Sequence, residues 1–153
     1  DKRVENNLDE IVVHRTINQD IEMIIGTTPG ERIRMARLQK GWMIKTLAAK
    51  VGITPKSLSN IERQITSFEN TTLRKISIAL EQPIWFLGCF ENMPEDTFFQ
   101  RLEKARFYHG HTKVKMATIL ELNARTILNW KVKEPCKETK KKASHYLQIL
   151  KQF

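Results

Sequence analysis

Residues 47–63 read LAAKVGITPKSLSNIER, and the organisation of the whole chain turns on them. Leu47, Ala48 and Val51 fall on one face of a first short helix. Gly52 follows, where a sharp turn needs a positive φ that other residues adopt only at a cost. Ile53 is the apolar residue buried by the turn. Thr54 then suits the cap of a second helix, and Pro55 suits its first position. From there Leu58 and Ile61, three apart, face inward, while Lys56, Ser57, Ser59, Asn60 and Arg63 stay outside. A small Ala48 lets the two helices cross closely. The outward residues are of the types that reach base edges and phosphates.

Two helices in that relation make a helix-turn-helix, with 54–63 as the recognition helix. The flanks agree with it. From Pro29 to about Gln82 the chain reads GERIRMARLQKGW, then LAAKVGIT, KSLSNIER and LRKISIAL. This stretch resembles the lambda-repressor-like (Cro/Xre-type) family, with Arg37, Gly41, Leu47, Ala48, Gly52, Ile53, Ile61 and Glu62 in register. The resemblance implies a five-helix module that binds double-stranded DNA. It also implies a buried bridge between Arg37 and Glu62, tying the first helix to the recognition helix. Ile44 departs from the pattern: it stands where the family usually has a glutamine on a phosphate, so that anchor is absent. The plainer alternative is a module of the same shape that contacts only protein.

Charge points the same way. The chain has 153 residues, room for one domain or two small ones, and 26 Lys and Arg against 17 Asp and Glu, a net charge of +9. Residues 29–83 hold 10 basic and 4 acidic side chains, and residues 97–153 hold 13 and 4. Residues 1–28 (3 basic, 6 acidic) and 84–96 (none and 3) are acidic. Two basic blocks parted by an acidic connector fit two surfaces that face phosphate. No apolar run is long enough to span a membrane and no signal-peptide pattern opens the chain, so a cytoplasmic protein is expected. Cys89 and Cys136 read as reduced thiols rather than a disulfide framework.

In chain order, residues 1–27 read as an N-terminal arm. IVVHRTI and IEMIIG suit a hairpin or extended strand, and a helix fits nearly as well; His14 there reads as a surface or packing residue. Thr28-Pro29-Gly30-Glu31 forms a capping box, and helix 1 runs to about Lys40. Thr71 or Thr72 is expected to cap a fourth helix with Leu73, Ile76 and Leu80 inward. PIWFLGCF, opened by Pro83, is unusually apolar. Its Trp85, Phe86, Leu87 and Phe90 call for cover from a second module or from a second chain, a homodimer through residues 83–90.

The pattern then starts again, 69 positions on. Thr28 and Glu31 map to Thr97 and Gln100, a second capping box. Arg32, Ala36, Arg37 and Gly41 map to identical Arg101, Ala105, Arg106 and Gly110. Leu47, Ala48, Val51, Ile53 and Leu58 map to Met116, Ala117, Leu120, Leu122 and Ile127. The expected fold is therefore all-α, with two tandem five-helix modules behind a short arm: 1–27 the arm, 28–90 the first module, 91–96 the acidic connector and 97–153 the second, divergent module. Thr112 would cap its second helix, and Lys113 takes the place of Ile44 and can touch phosphate. Two replacements set the copy apart. Glu121 stands for Gly52, a strain of about 1–2 kcal/mol if the left-handed turn is kept. Lys131 stands for Glu62, so Arg106 would face a lysine and the bridge could not form. KVKEPCKETKKK then carries six lysines, Lys140, Lys141 and Lys142 among them, on a loop that either tracks phosphate or is merely solvated; a last helix begins near Thr139.

The function expected is a sequence-specific DNA-binding transcriptional regulator, a repressor of bacterial or phage type. Lys56, Ser57 and Asn60 would read bases, with lysine matched to guanine and asparagine to adenine. Thr54, Ser59 and Arg63 would hold phosphates. Arg125, Thr126 and Asn129 would be the second module's base readers. The rival is an interaction protein, an antitoxin-like regulator whose modules mainly bind a protein partner. No catalytic constellation or cofactor motif is present in the sequence, and His109 with His111 lacks further ligands for a metal, so no enzyme is expected.

Overall fold

The computed structural model describes Gly26 and residues 28–152, and no strand occurs among these described residues. The arm expected over 1–27, with His14, otherwise lies outside them. Nine α-helices are described in order: α1 (Pro29–Gln39), α2 (Ile44–Val51), α3 (Pro55–Glu62), α4 (Asn70–Leu80), α5 (Ile84–Leu87), α6 (Phe98–His109), α7 (Lys113–Ile119), α8 (Ala124–Asn129) and α9 (Lys137–Leu147). Short 3₁₀ turns follow α5 at Phe90–Asn92 and α9 at Gln148–Lys151.

Local chemistry starts α1 and α6 where the sequence expects. The Thr28 hydroxyl accepts from the Glu31 amide at 3.4 Å while the Glu31 carboxylate accepts from the Thr28 amide at 3.2 Å. Thr97 and Gln100 repeat the exchange at 3.1 and 3.0 Å at the head of α6. Gly41 and Gly110 both turn the chain at positive φ, 68° and 67°. Behind these caps lie two apolar clusters. Ile33, Leu47, Leu58, Leu73, Ile76 and Leu80 centre the first. Leu102, Met116, Ile127, Ala143 and Tyr146 centre the second. Each fully buried Leu or Ile contributes about 1.5–3 kcal/mol, so the two clusters, not the helix propensities, hold the chain together.

The apolar 83–90 segment is covered within the chain. Trp85 stacks on Tyr108 of α6 with centroids 6.4 Å apart, and Phe90 lies 4.9 Å from Phe107. Leu87 is fully buried. α6 thus supplies the cover that the sequence asks of a second module, while Trp85 and Phe86 stay half-buried. Polar contacts reinforce the seam. Asn70 Nδ2 donates to the carbonyls of Arg106 (3.3 Å) and His111 (3.2 Å). Arg32 pairs with Glu91 at 2.6 Å, and Lys104 Nζ donates to the Glu91 carbonyl at 3.2 Å.

Three expectations are corrected. α4 begins at Asn70, before either threonine, and Glu69 precedes it with no side-chain cap, because the Asn70 side-chain amide is committed to α6. α9 begins at Lys137 rather than near Thr139, so Lys140, Lys141 and Lys142 sit on a helix and not a loop. Lys140 is moreover paired with Glu134. Finally, Arg106 does not face Lys131; its partner is Glu103, as described below.

Candidate nucleic-acid interface

α2, the turn and α3 are built as their residues dictate. Leu47, Ala48 and Val51 are buried, and Gly52 closes α2 in the left-handed region at φ 79°. The Gly52 and Ile53 amides both return to the Ala48 carbonyl, at 2.9 and 3.0 Å. Thr54 caps α3 by accepting from the Ser57 amide at 3.0 Å, and Pro55 takes the first position. Leu58 and Ile61 turn into the core. This leaves Lys56 and Ser57 exposed, with Ser59 and Asn60 half-buried beside them.

The orientation of α3 is locked from beneath. Arg37 Nε and a terminal nitrogen donate to the two Glu62 oxygens at 2.7 and 2.9 Å. A third donor reaches the Trp42 carbonyl at 2.6 Å. Both residues are under a tenth exposed. The hydrogen bond to Glu62 holds the Arg37 guanidinium above its ordinary pKa, against the opposing effect of burial. Gly30 adds a steric condition that sequence reasoning missed. A Cβ there would stand 2.6 Å from the carbonyl oxygens of both Ile61 and Glu62, so α1 and the end of α3 meet backbone to backbone.

Among the base-reading candidates, Lys56 stands exposed in the first turn of α3. The Ser57 and Thr54 hydroxyls lie 2.8 Å apart. Asn60 Oδ1 accepts from Arg63 at 3.1 Å, which leaves a second lone pair and both amide hydrogens for an adenine. Arg63 also reaches back to the Ser59 carbonyl at 3.4 Å. Ile44 opens α2, where it packs against the core, and offers no polar atom to a phosphate.

Residues 112–130 also run helix, turn and helix, with different details. α7 begins at Lys113, capped by Thr112 on the Lys115 amide at 3.1 Å. Leu122 returns its amide to Ala117 at 3.0 Å, as Ile53 does to Ala48. Glu121 keeps the left-handed turn at φ 54° despite its side chain. Asn123 caps α8 through the Arg125 amide at 2.8 Å. Arg125, Thr126 and Asn129 are all exposed on α8, which has 6 residues against 8 in α3. The lock beneath is different. Arg106 is held by Glu103 on its own helix through two contacts of 2.9 and 3.0 Å, plus the His111 carbonyl at 3.0 Å. Lys131 is exposed, its ammonium 5.3 Å from the centre of the Phe99 ring. Phe99 stands 69 positions after Gly30, where it rules out the close approach that Gly30 permits. Trp130 instead anchors the end of α8, its ring 5.7 Å from Phe98.

His109 and His111 both reach Tyr146. His109 Nε2 lies 3.0 Å from the Tyr146 carbonyl, and His111 Nδ1 lies 3.0 Å from its hydroxyl. Among the described residues no group of three or more His, Cys, Asp or Glu is placed to hold a metal, and no helix is long and apolar enough to cross a membrane. Among the described residues neither Cys89 nor Cys136 is in a disulfide.

Residues 33–84 match the model of the Helix-turn-helix family. A curated relative, "Antitoxin HipB" of Escherichia coli (strain K12), is 34% identical over 71 residues, 46% of this chain and 81% of the relative. No solved structure matches significantly.

Proposed function

Since the chain belongs to the helix-turn-helix family, we propose that it is a sequence-specific regulator of transcription, a repressor that reads the major groove of double-stranded DNA with α3. One observation carries the reading: α3 presents Lys56, Ser57 and Asn60 outward while Arg37 and Glu62 fix its other face to α1. Base contacts require a helix held rigidly at its buried side. Thr54, Ser59 and Arg63 flank these readers and set register on phosphate. No catalysis and no cofactor form part of this reading, and a protein acting on the chromosome would work in the cytoplasm.

Residues 97–153 form, in this proposal, a second and divergent module of the same kind, joined by the acidic 91–96 connector to the first at 28–90. The two repeated capping boxes, the matched turns at Ile53 and Leu122 and the paired glycines Gly41 and Gly110 support it. Arg125, Thr126 and Asn129 would meet a second half-site, with Lys113, Lys141 and Lys142 on phosphate; Lys140 must first leave Glu134. Two such helices in one chain would call for half-sites one helical turn apart, about 34–36 Å.

An antitoxin-like regulator is the second reading, favoured by the relative's name. Selection of bound sequences from a random DNA pool, followed by affinity at several salt concentrations, separates the two. A regulator of the first kind returns a defined motif and a steep salt dependence. Retention of neither random DNA nor heparin would leave the protein-binding reading standing alone.

A further inference from the structure

Beneath α8 the second half contains a groove. Its volume is about 230 Å³, and Phe99, Met116, Ile127 and Leu128 give it an almost wholly apolar lining. Met116 and Ile127 are buried at its floor, whereas Leu128 is half exposed at its lip. Its origin is local. Phe99, 69 positions after Gly30, walls the groove on the side of α6, whereas Gly30 lets α1 touch α3.

Cations outnumber acids on the rim, two to one. Lys113 and Arg125 both line the groove and both are exposed, and neither forms an ion pair among the described residues. The acid on the rim, Glu103, is spent on Arg106 through both of its oxygens. An apolar floor under two uncommitted cations is complementary to a molecule with an apolar body and one anionic end. Size narrows the class further. Sites for drug-sized ligands run to about 300–1,000 Å³, so this groove suits something smaller.

We propose that the groove between α6, α7 and α8 binds a small monocarboxylate bearing one aromatic ring or a short acyl chain, its carboxylate held by Lys113 and Arg125. The apolar portion lies on Phe99, Met116, Ile127 and Leu128. The site stands on this groove alone and is independent of whether α3 reads DNA. If α8 does meet DNA, neither Arg125 nor Lys113 can serve both partners, and the carboxylate then competes with the second half-site while leaving α3 untouched.

The test uses the full chain without DNA and follows the methyl signals of Met116, Ile127 and Leu128 by NMR. The probe is 3-phenylpropionate, with 3-phenylpropan-1-ol and inorganic phosphate as controls. The acid is expected to shift those methyls and to bind about tenfold more tightly than the alcohol, since only the carboxylate offers the two cations a charge-assisted hydrogen bond. Lys113→Gln and Arg125→Gln, both at exposed positions, should each weaken the acid by about tenfold and leave the alcohol unchanged. Ala124→Phe should fill the groove and abolish binding of both, with the helical circular dichroism spectrum intact. No methyl shift at millimolar acid overturns the proposal. So does equal binding of acid and alcohol, or phosphate moving the same methyls as strongly as the acid.

Discussion

Glu62→Gln keeps the shape of the side chain and removes only the counter-charge of Arg37. In the structure both residues are under a tenth exposed, and the guanidinium spends two donors on Glu62 and a third on the Trp42 carbonyl. Removing one member of a buried pair costs about 3–5 kcal/mol, because the other charge is left without compensation. The amide oxygen of glutamine retains one bond and recovers about 1 kcal/mol, so the expected loss is about 2–4 kcal/mol. The corresponding exchange in the second half behaves differently. Lys131→Glu should change stability by less than about 0.5 kcal/mol, since Lys131 is exposed and the Arg106 donors are already taken by Glu103. Urea unfolding followed by circular dichroism measures both, and native-state amide exchange assigns each loss to its half of the chain. A loss below about 1 kcal/mol for Glu62→Gln would refute the buried-pair reasoning. A gain above about 1 kcal/mol for Lys131→Glu would show that Arg106 is available to it after all.

Four further outcomes are expected. Lys56→Ala and Asn60→Ala should each weaken binding to the selected site by about 1–3 kcal/mol and relax one base pair, measured by fluorescence anisotropy; wild-type affinity in both would displace the reading surface from α3. Lys141→Ala and Lys142→Ala should lower affinity for all sequences alike and flatten the salt slope by about 0.9 for each phosphate that is no longer neutralised, with a smaller effect at Lys140, which Glu134 holds. Glu121→Gly should stabilise the chain by about 1 kcal/mol in thermal unfolding, because its φ of 54° is costly for a residue with a Cβ. His111 is held below its ordinary pKa of 6.5 by burial first and then by His109, Arg74 and Lys115. The unfolded chain therefore binds this proton before the folded one does, so stability falls as pH drops below about 6.5, and His111→Gln should flatten that part of a pH-resolved unfolding series.

Much of the fold is legible in the sequence because the signals are local. A threonine three residues before Glu31 or Gln100 starts a helix by its own hydrogen bonds, and the spacing of Leu47, Val51, Leu58 and Ile61 selects the buried face without knowledge of the rest. The departures all involve partners distant in sequence or choices among several near ones. Thr71 and Thr72 are adequate caps, but Asn70 is drawn into the helix by two carbonyls that lie 36 and 41 residues away. Glu103 is in reach of Arg106 by helical spacing alone, three residues along, whereas the family pattern points past it to position 131. The last helix slips as well. Leu73, Ile76 and Leu80 correspond to Ala143, Tyr146 and Leu150, 70 positions on rather than 69, which places the extra residue in the preceding loop.

The differences between α3 and α8 are better understood as one change than as three. A backbone approach at Gly30 brings the end of α3 against α1, and only at that separation can Glu62 reach Arg37 with both oxygens. Phe99 forbids the approach at the matching place, so an acid at position 131 would have no short path to Arg106. Arg106 is buried nonetheless and must be paired, and Glu103 supplies the carboxylate from the same helix. Position 131 is thereby released from the seam, and its lysine turns out over the Phe99 ring that displaced it. The same ring walls the groove under α8. Restoring any single residue consequently restores little. Phe99→Gly alone would leave a void beneath α8, and Lys131→Glu alone would place an acid where Arg106 is already engaged. Where the first half has a clamp between helices the second has one within a helix, and α8 is held at its end by Trp130 on Phe98.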